Sequence, residues 1–179
     1  MRRWLKYLLA SPLALAIILA VLYQSRSGDA PITPADLTHS AQTISENVER
    51  ARQYALASQP DAAIAEMDSA IEQAQRYALP AIERARLYTL RGQMVLLLYE
   101  WDRVLDDYNI ALDIAPDYAE AYFYRAILYY SAMPGGLNRE DALADFEHYL
   151  RLEPDGPHAA DAARHAESIR LQLEALGAP

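Results

Sequence analysis

The side chains best suited to chemistry are few, and their spacing works against it. His158 and His165 stand two turns apart on one predicted helix, with Asp161 between them. Two turns rise about 10.5 Å, too far for one metal ion to be shared from a straight helix face. The trio therefore reads as a solvated helix surface. The neighbouring carboxylates Asp106–Asp107 and Glu140–Asp141 fall in first turns or on outer faces of predicted helices, where negative charge suits the helix dipole. Acid–base work would need a cleft that shifts one member of such a pair, and the sequence marks none. Gly135-Gly136 lacks the strand, the spacing and the lysine of a phosphate loop, and there is no nucleophile elbow. The chain has no cysteine, which removes disulfides, thiolate metal sites and a cysteine nucleophile. These observations argue against an enzyme and against any metal, cofactor or small-molecule substrate.

What remains is the chemistry of surfaces and charge. Residues 1–24 carry Arg2, Arg3 and Lys6 and no acid. From residue 25 on, 13 arginines stand against all 25 acidic residues, leaving 12 net negative charges with histidine neutral. So acidic a surface repels phosphate backbones, and nucleic acid is not an expected partner. The 13 tyrosines would suit a stacking platform, but most recur at helical spacing and read as core.

Residues 7–23, YLLASPLALAIILAVLY, contain no charged side chain. Extended back to Trp4, with Lys6 snorkelling, the run reaches about 20 residues, enough for a hydrocarbon core about 30 Å thick. It outruns the apolar region of a signal peptide and meets no Ala-x-Ala site, so residues 1–24 are expected to persist as a transmembrane signal-anchor. The bilayer would be touched through residues 4–23. Basic residues precede the span and only Arg26 closely follows it, which keeps the N-terminus cytoplasmic and exports the rest. The expected place is thus the bacterial inner membrane, single-pass, with the folded part on the periplasmic or extracellular side. Residues 25–33 form a polar linker, short enough to hold that part within about 35 Å of the membrane.

Beyond the linker the apolar periodicity is helical throughout. Thr33 is placed as a helix cap, with Pro34 at the first helical position and Asp36 in the first turn. Residues 85–118 read as helix, turn and helix, with Tyr88, Gly92, Val104, Tyr108, Ala111 and Pro116 at positions 4, 8, 20, 24, 27 and 32. Gly92 leaves room for the second helix to approach, and Tyr108 fills the wedge. The pattern returns in Tyr122, Ala126, Ala142, Phe146 and Pro154, four residues longer between Ala126 and Ala142. The surplus is assigned to a loop over residues 133–138. It returns more weakly in Ala51, Ala63, Met67 and Ala70. Gly156-Pro157 opens a last helix with an apolar stripe of Ala159, Ala162, Ala163, Ala166, Ile169, Leu173 and Leu176.

This pattern resembles the tetratricopeptide repeat family. The resemblance implies an all-α fold, a right-handed superhelical array of helix-turn-helix repeats with a C-terminal capping helix, here preceded by one transmembrane helix. The domain would span residues 34–179, with repeat 1 at about 35–77, repeat 2 at 80–118, repeat 3 at 119–154 and the capping helix at 157–176. It also implies that the first helices of the repeats line a groove for a protein partner. Carried over position by position, the contacts fall on Arg52 in repeat 1, on Arg86, Thr89 and Gln93 in repeat 2, and on Glu120, Phe123, Ile127 and Tyr130 in repeat 3. Phe123, Ile127 and Tyr130 form an apolar stripe that is either open to a partner or buried under the capping helix. Some members of the family clamp a partner's C-terminal carboxylate with Lys, Asn and Arg. Here those positions hold Val48, Arg52, Leu90, Glu120 and Tyr124, which disfavours a chaperone-tail receptor. The resulting expectation is a membrane-anchored interaction module, an adaptor or assembly factor for a membrane-associated complex. The alternative is a small accessory subunit held partly by its transmembrane helix, where Ala10, Ser11, Ala14 and Ala16 permit close helix packing.

Overall fold

The structure, a computed structural model, describes residues 32–132 and 138–177. The expected span over residues 4–23, nearly all of the linker, and Met133 to Leu137 of the third-repeat insert lie outside the described residues. Among the described residues no helix is long and apolar enough to cross a membrane. The fold is all-α, with helices α1 (Pro34–Leu56), α2 (Pro60–Arg76), α3 (Ala81–Val95), α4 (Trp101–Ile114), α5 (Ala119–Ile127), α6 (Arg139–Leu152) and α7 (Ala159–Ala175). Two compact units divide between Arg84 and Ala85.

The first unit is the hairpin of α1 and α2. Thr33 closes a capping box on α1: its hydroxyl accepts from the Asp36 N–H at 3.2 Å, and the Asp36 carboxylate accepts from the Thr33 N–H at 2.8 Å. Two of the orphan donors of the helix start are thereby satisfied. Ala51, Ala63, Met67 and Ala70, the residues of the weakest repeat, are all fully buried. The hairpin turn needs a left-handed residue and takes it without glycine, at Ser58 with φ 57°.

In the second unit α3 packs on α4 and α5 on α6. Gly92 does what its position requires. A Cβ there would sit 2.7 Å from Cε1 of Tyr108, whose side chain is completely buried. Ala126 and Ala142 bring α5 and α6 together in the same way, over Phe146 and Tyr149. Each large side chain so buried contributes about 1.5–3 kcal/mol. Pro116 and Pro154 follow the ends of α4 and α6 on the surface. The third-repeat surplus begins earlier than expected. After α5 the backbone widens into a π turn over Leu128–Ala132, which takes up extra residue within the helix. The Asn138 N–H then donates to the Tyr129 carbonyl at 3.2 Å, pinning the two ends of the insert. Asn138 caps α6 through the Asp141 N–H, at 3.4 Å.

An ion pair joins the two helices of every repeat, from position 7 to position 23. Arg50 reaches Glu66 at 3.0 Å, Arg91 reaches Asp107 at 2.5 Å, and Arg125 reaches Asp145 at 2.7 Å. In the second and third repeats the guanidinium also lies over the tyrosine at position 4, 5.2 Å above Tyr88 and 5.6 Å above Tyr122. Asp107 is therefore not the outer-face carboxylate expected from the sequence but a buried helix-to-helix tie.

The last helix starts at Ala159 rather than at Pro157. Tyr149, which stands where the pattern has a small residue, explains how. Its buried hydroxyl accepts from the His158 N–H at 2.9 Å, satisfying a backbone donor at the start of α7 that no side-chain cap serves. Gly156 makes the room, since a Cβ there would meet that hydroxyl at 2.6 Å. Ala162, Ala166 and Ile169 of α7 are buried, with Ala159 and Leu173 packed beside them. Ala163 and Leu176, expected in the same stripe, are exposed.

Candidate partner-binding surface

Of the predicted contacts, Arg52 lies exposed on α1 in the first unit. The others lie on α3 and α5 and their continuation in the second unit, where the structure divides them into two groups.

One group packs into the core or against α7. Thr89 is 1% exposed, and its hydroxyl donates to the Ala85 carbonyl at 3.1 Å, so it belongs to the core. Phe123 is 7% exposed and stacks on His158 with centroids 4.2 Å apart, its other side against Phe146 and Tyr149. Ile127 packs on the same core as Ala162, Ala166 and Ile169 of α7. The Tyr130 hydroxyl accepts from Gln172 of α7 at 3.2 Å, and its ring meets His165 edge-on at 5.5 Å. The apolar stripe of the third repeat thus packs against α7, with Phe123 buried and Ile127 and Tyr130 half-buried. His158 and His165 are not on a solvated face. They are the aromatic rings with which α7 grips Phe123, Phe146 and Tyr130. Among the described residues no group of three or more His, Asp and Glu is placed to hold a metal ion.

The second group stays within reach of solvent. Arg86 is exposed, and Gln93 and Glu120 are half-buried. Two tyrosines join them: Tyr124, one turn on from Glu120 and so on the same helix face, and Tyr118, the residue that precedes α5. The carry-over by repeat position passed over Tyr118, which stands at the start of the helix rather than on its face. The Tyr118 hydroxyl donates to the Glu120 carboxylate. Burial pushes the Tyr118 phenol up, the Glu120 hydrogen bond and charge push it further, and the Arg86 charge acts against them. Burial likewise raises Tyr124, with the Glu120 charge adding to it and Gln93 opposing. Tyr149 is raised by burial too, and both Glu153 and Glu120 add to the shift. The two carboxylates therefore share one neighbourhood. With every phenol held neutral, the surface offers rings, hydroxyls and negative charge. Such a surface can recognise a side chain.

No protein-family model matches the chain, and no curated protein matches it either. Solved structures do. The first TPR of Spaghetti (RPAP3), bound to the HSP90 peptide SRMEEVD, is 22% identical with a TM-score of 0.58, covering 74% of this chain and 94% of that one. The first TPR domain of human RPAP3 is 21% identical at TM-score 0.58, over 74% of this chain and 95% of its own. The TPR2B domain of yeast Sti1, in a complex with pHsp70, is 18% identical at 0.58, over 73% and 98%. The chain has the fold of a tetratricopeptide domain.

Proposed function

We propose that the chain is a membrane-tethered, non-catalytic adaptor or assembly factor whose α3–α5 face holds a segment of a partner protein. The observation that carries this reading is the Arg86–Gln93–Glu120–Tyr124 surface, part-exposed side chains on helices fixed by the Arg91–Asp107 and Arg125–Asp145 pairs. Side chains whose helices are already locked lose less entropy on binding. Likeness to domains seen with chaperone peptides supports the same use of the fold. The uncharged run from residue 7 to residue 23, with its basic N-terminal flank, supports a single span with the repeats exported across a bacterial inner membrane.

The test is affinity purification of the full-length protein from its native membranes in mild detergent, followed by mass spectrometry. A stoichiometric membrane protein is expected to co-purify and to be lost from a Gln93→Ala/Glu120→Ala variant. If nothing co-purifies, the adaptor reading fails. Exchanging residues 1–24 for an unrelated anchor separates the alternatives: an adaptor keeps its partner, whereas an accessory subunit packed through Ala10, Ser11, Ala14 and Ala16 loses it. Release by alkaline carbonate, or digestion of the repeats by protease added from the cytoplasmic side, would remove the anchor or its orientation.

A further inference from the structure

We infer that the α3–α5 face takes a basic partner segment, a lysine or arginine side chain seated between Glu120 and the surrounding aromatic rings. This rests on the proposed function and gives its partner a chemistry. Two features of the surface point the same way.

The first is charge. Glu120 and Glu153 both act on Tyr149, and Glu153 lies against its hydroxyl. The Arg86 charge also reaches Tyr118. Two partly exposed carboxylates in one neighbourhood favour an incoming cation and repel a carboxylate.

The second is the ring arrangement. Tyr124 meets Phe123 edge-on at 5.4 Å and His158 at 5.6 Å, and Tyr118 is tied to Glu120. Aromatic faces beside a carboxylate make a seat for a cationic side chain, since both the quadrupole and the charge attract it.

The solved relatives bind a segment of the opposite sign: the peptide seen with Spaghetti, SRMEEVD, is acidic and ends in a carboxylate. The same fold here carries the opposite complementarity, because Glu120 stands where a clamp would need a cation.

The experiment probes the full-length protein in detergent with an array of random heptapeptides, then measures the enriched peptides and SRMEEVD by fluorescence anisotropy. Lysine- and arginine-containing peptides should be enriched. Glu120→Gln should weaken them about tenfold, the equivalent of about 1.4 kcal/mol, with no change in melting temperature. Glu120→Lys should reverse the preference and bring SRMEEVD above the basic peptides. Enrichment of acidic or uncharged peptides, or basic peptides indifferent to Glu120→Gln, overturns this inference and leaves the groove reading standing. An array on which nothing binds overturns both.

Discussion

The first and second repeats answer the same packing problem with the same pair of charges at different depths. In the first, Arg50 and Glu66 keep 46% and 22% of their side-chain surface exposed. In the second, Arg91 is 20% exposed and Asp107 only 1%. Around the deeper pair the packing is tighter as well. Gly92 lets Tyr108 press against α3, where the first repeat has Ala51 and the pliable Met67. A recurring salt bridge is therefore not one quantity. At the surface it exchanges water for a partner and comes out near even. Buried, it becomes a requirement, because losing one partner strands the other.

The sharpest way to break this comparison is Arg91→Met. It leaves the Asp107 carboxylate buried without its guanidinium, and the loss should be about 3–5 kcal/mol, read from thermal or urea unfolding. Replacing both, Arg91→Met with Asp107→Leu, should recover most of that loss, because no charge is then stranded. If the double variant is as unstable as the single one, the bridge is contributing geometry rather than satisfying a buried charge.

Next in size is Gly92→Leu. The added side chain meets Tyr108 at once, and overpacking of this kind costs about 1–3 kcal/mol. An unchanged melting temperature would mean that Tyr108 can turn aside and that the close approach of α3 and α4 is not tight.

Much of this was legible in the sequence, and the reasons differ by residue. Gly92, Tyr108, Ala126 and Phe146 could be placed because close helix packing admits only certain sizes at fixed spacing. Thr33 could be placed because a cap and its first-turn acid are local. The ion pairs were harder. Arg91 and Asp107 lie 16 residues apart on different helices, and an acid beside another acid looks like surface until the partner helix is docked. The packing of α7 on Phe123 and Tyr130 was one of two alternatives left open, because His158 and His165 read as polar until their rings are seen against the stripe. Left-handed Ser58 and Ala78 had no glycine to announce them. The α3–α5 surface was half legible. Gln93 and Glu120 came from the repeat positions, whereas Tyr118 depends on a capping geometry that the repeat pattern does not contain.

The third repeat allows the comparison to be sharpened by pH. Asp145 is held above its ordinary 3.8 by burial, while the Arg125 hydrogen bond and charge pull it down. The folded state thus binds this proton more tightly than the unfolded chain. The contribution of Asp145 to stability is complete below pH 3.8 and is lost as pH rises through its folded value. Arg125→Met removes the pull, so the Asp145 carboxyl midpoint, followed by NMR, should move further up. A midpoint that stayed put or fell would show that Arg125 is not the group that offsets burial.

The smallest effect is expected where the pair is most open. Arg50 is raised by its Glu66 hydrogen bond, yet its guanidinium lies in water. Arg50→Met should therefore shift the melting temperature by less than a melt can resolve, and added salt should change the wild type and the variant alike. Asn47 complicates the case. It is 2% exposed, and its side-chain oxygen accepts from Arg50, so removing the arginine also takes away a donor from a buried amide. If Arg50→Met proves clearly destabilising and salt-insensitive, the cause is that lost donor rather than Glu66. Arg50→Gln, which keeps an N–H, should then restore stability. Depth of burial would still set the cost, but Asn47 would be the buried group that sets it in the first repeat, as Asp107 is in the second.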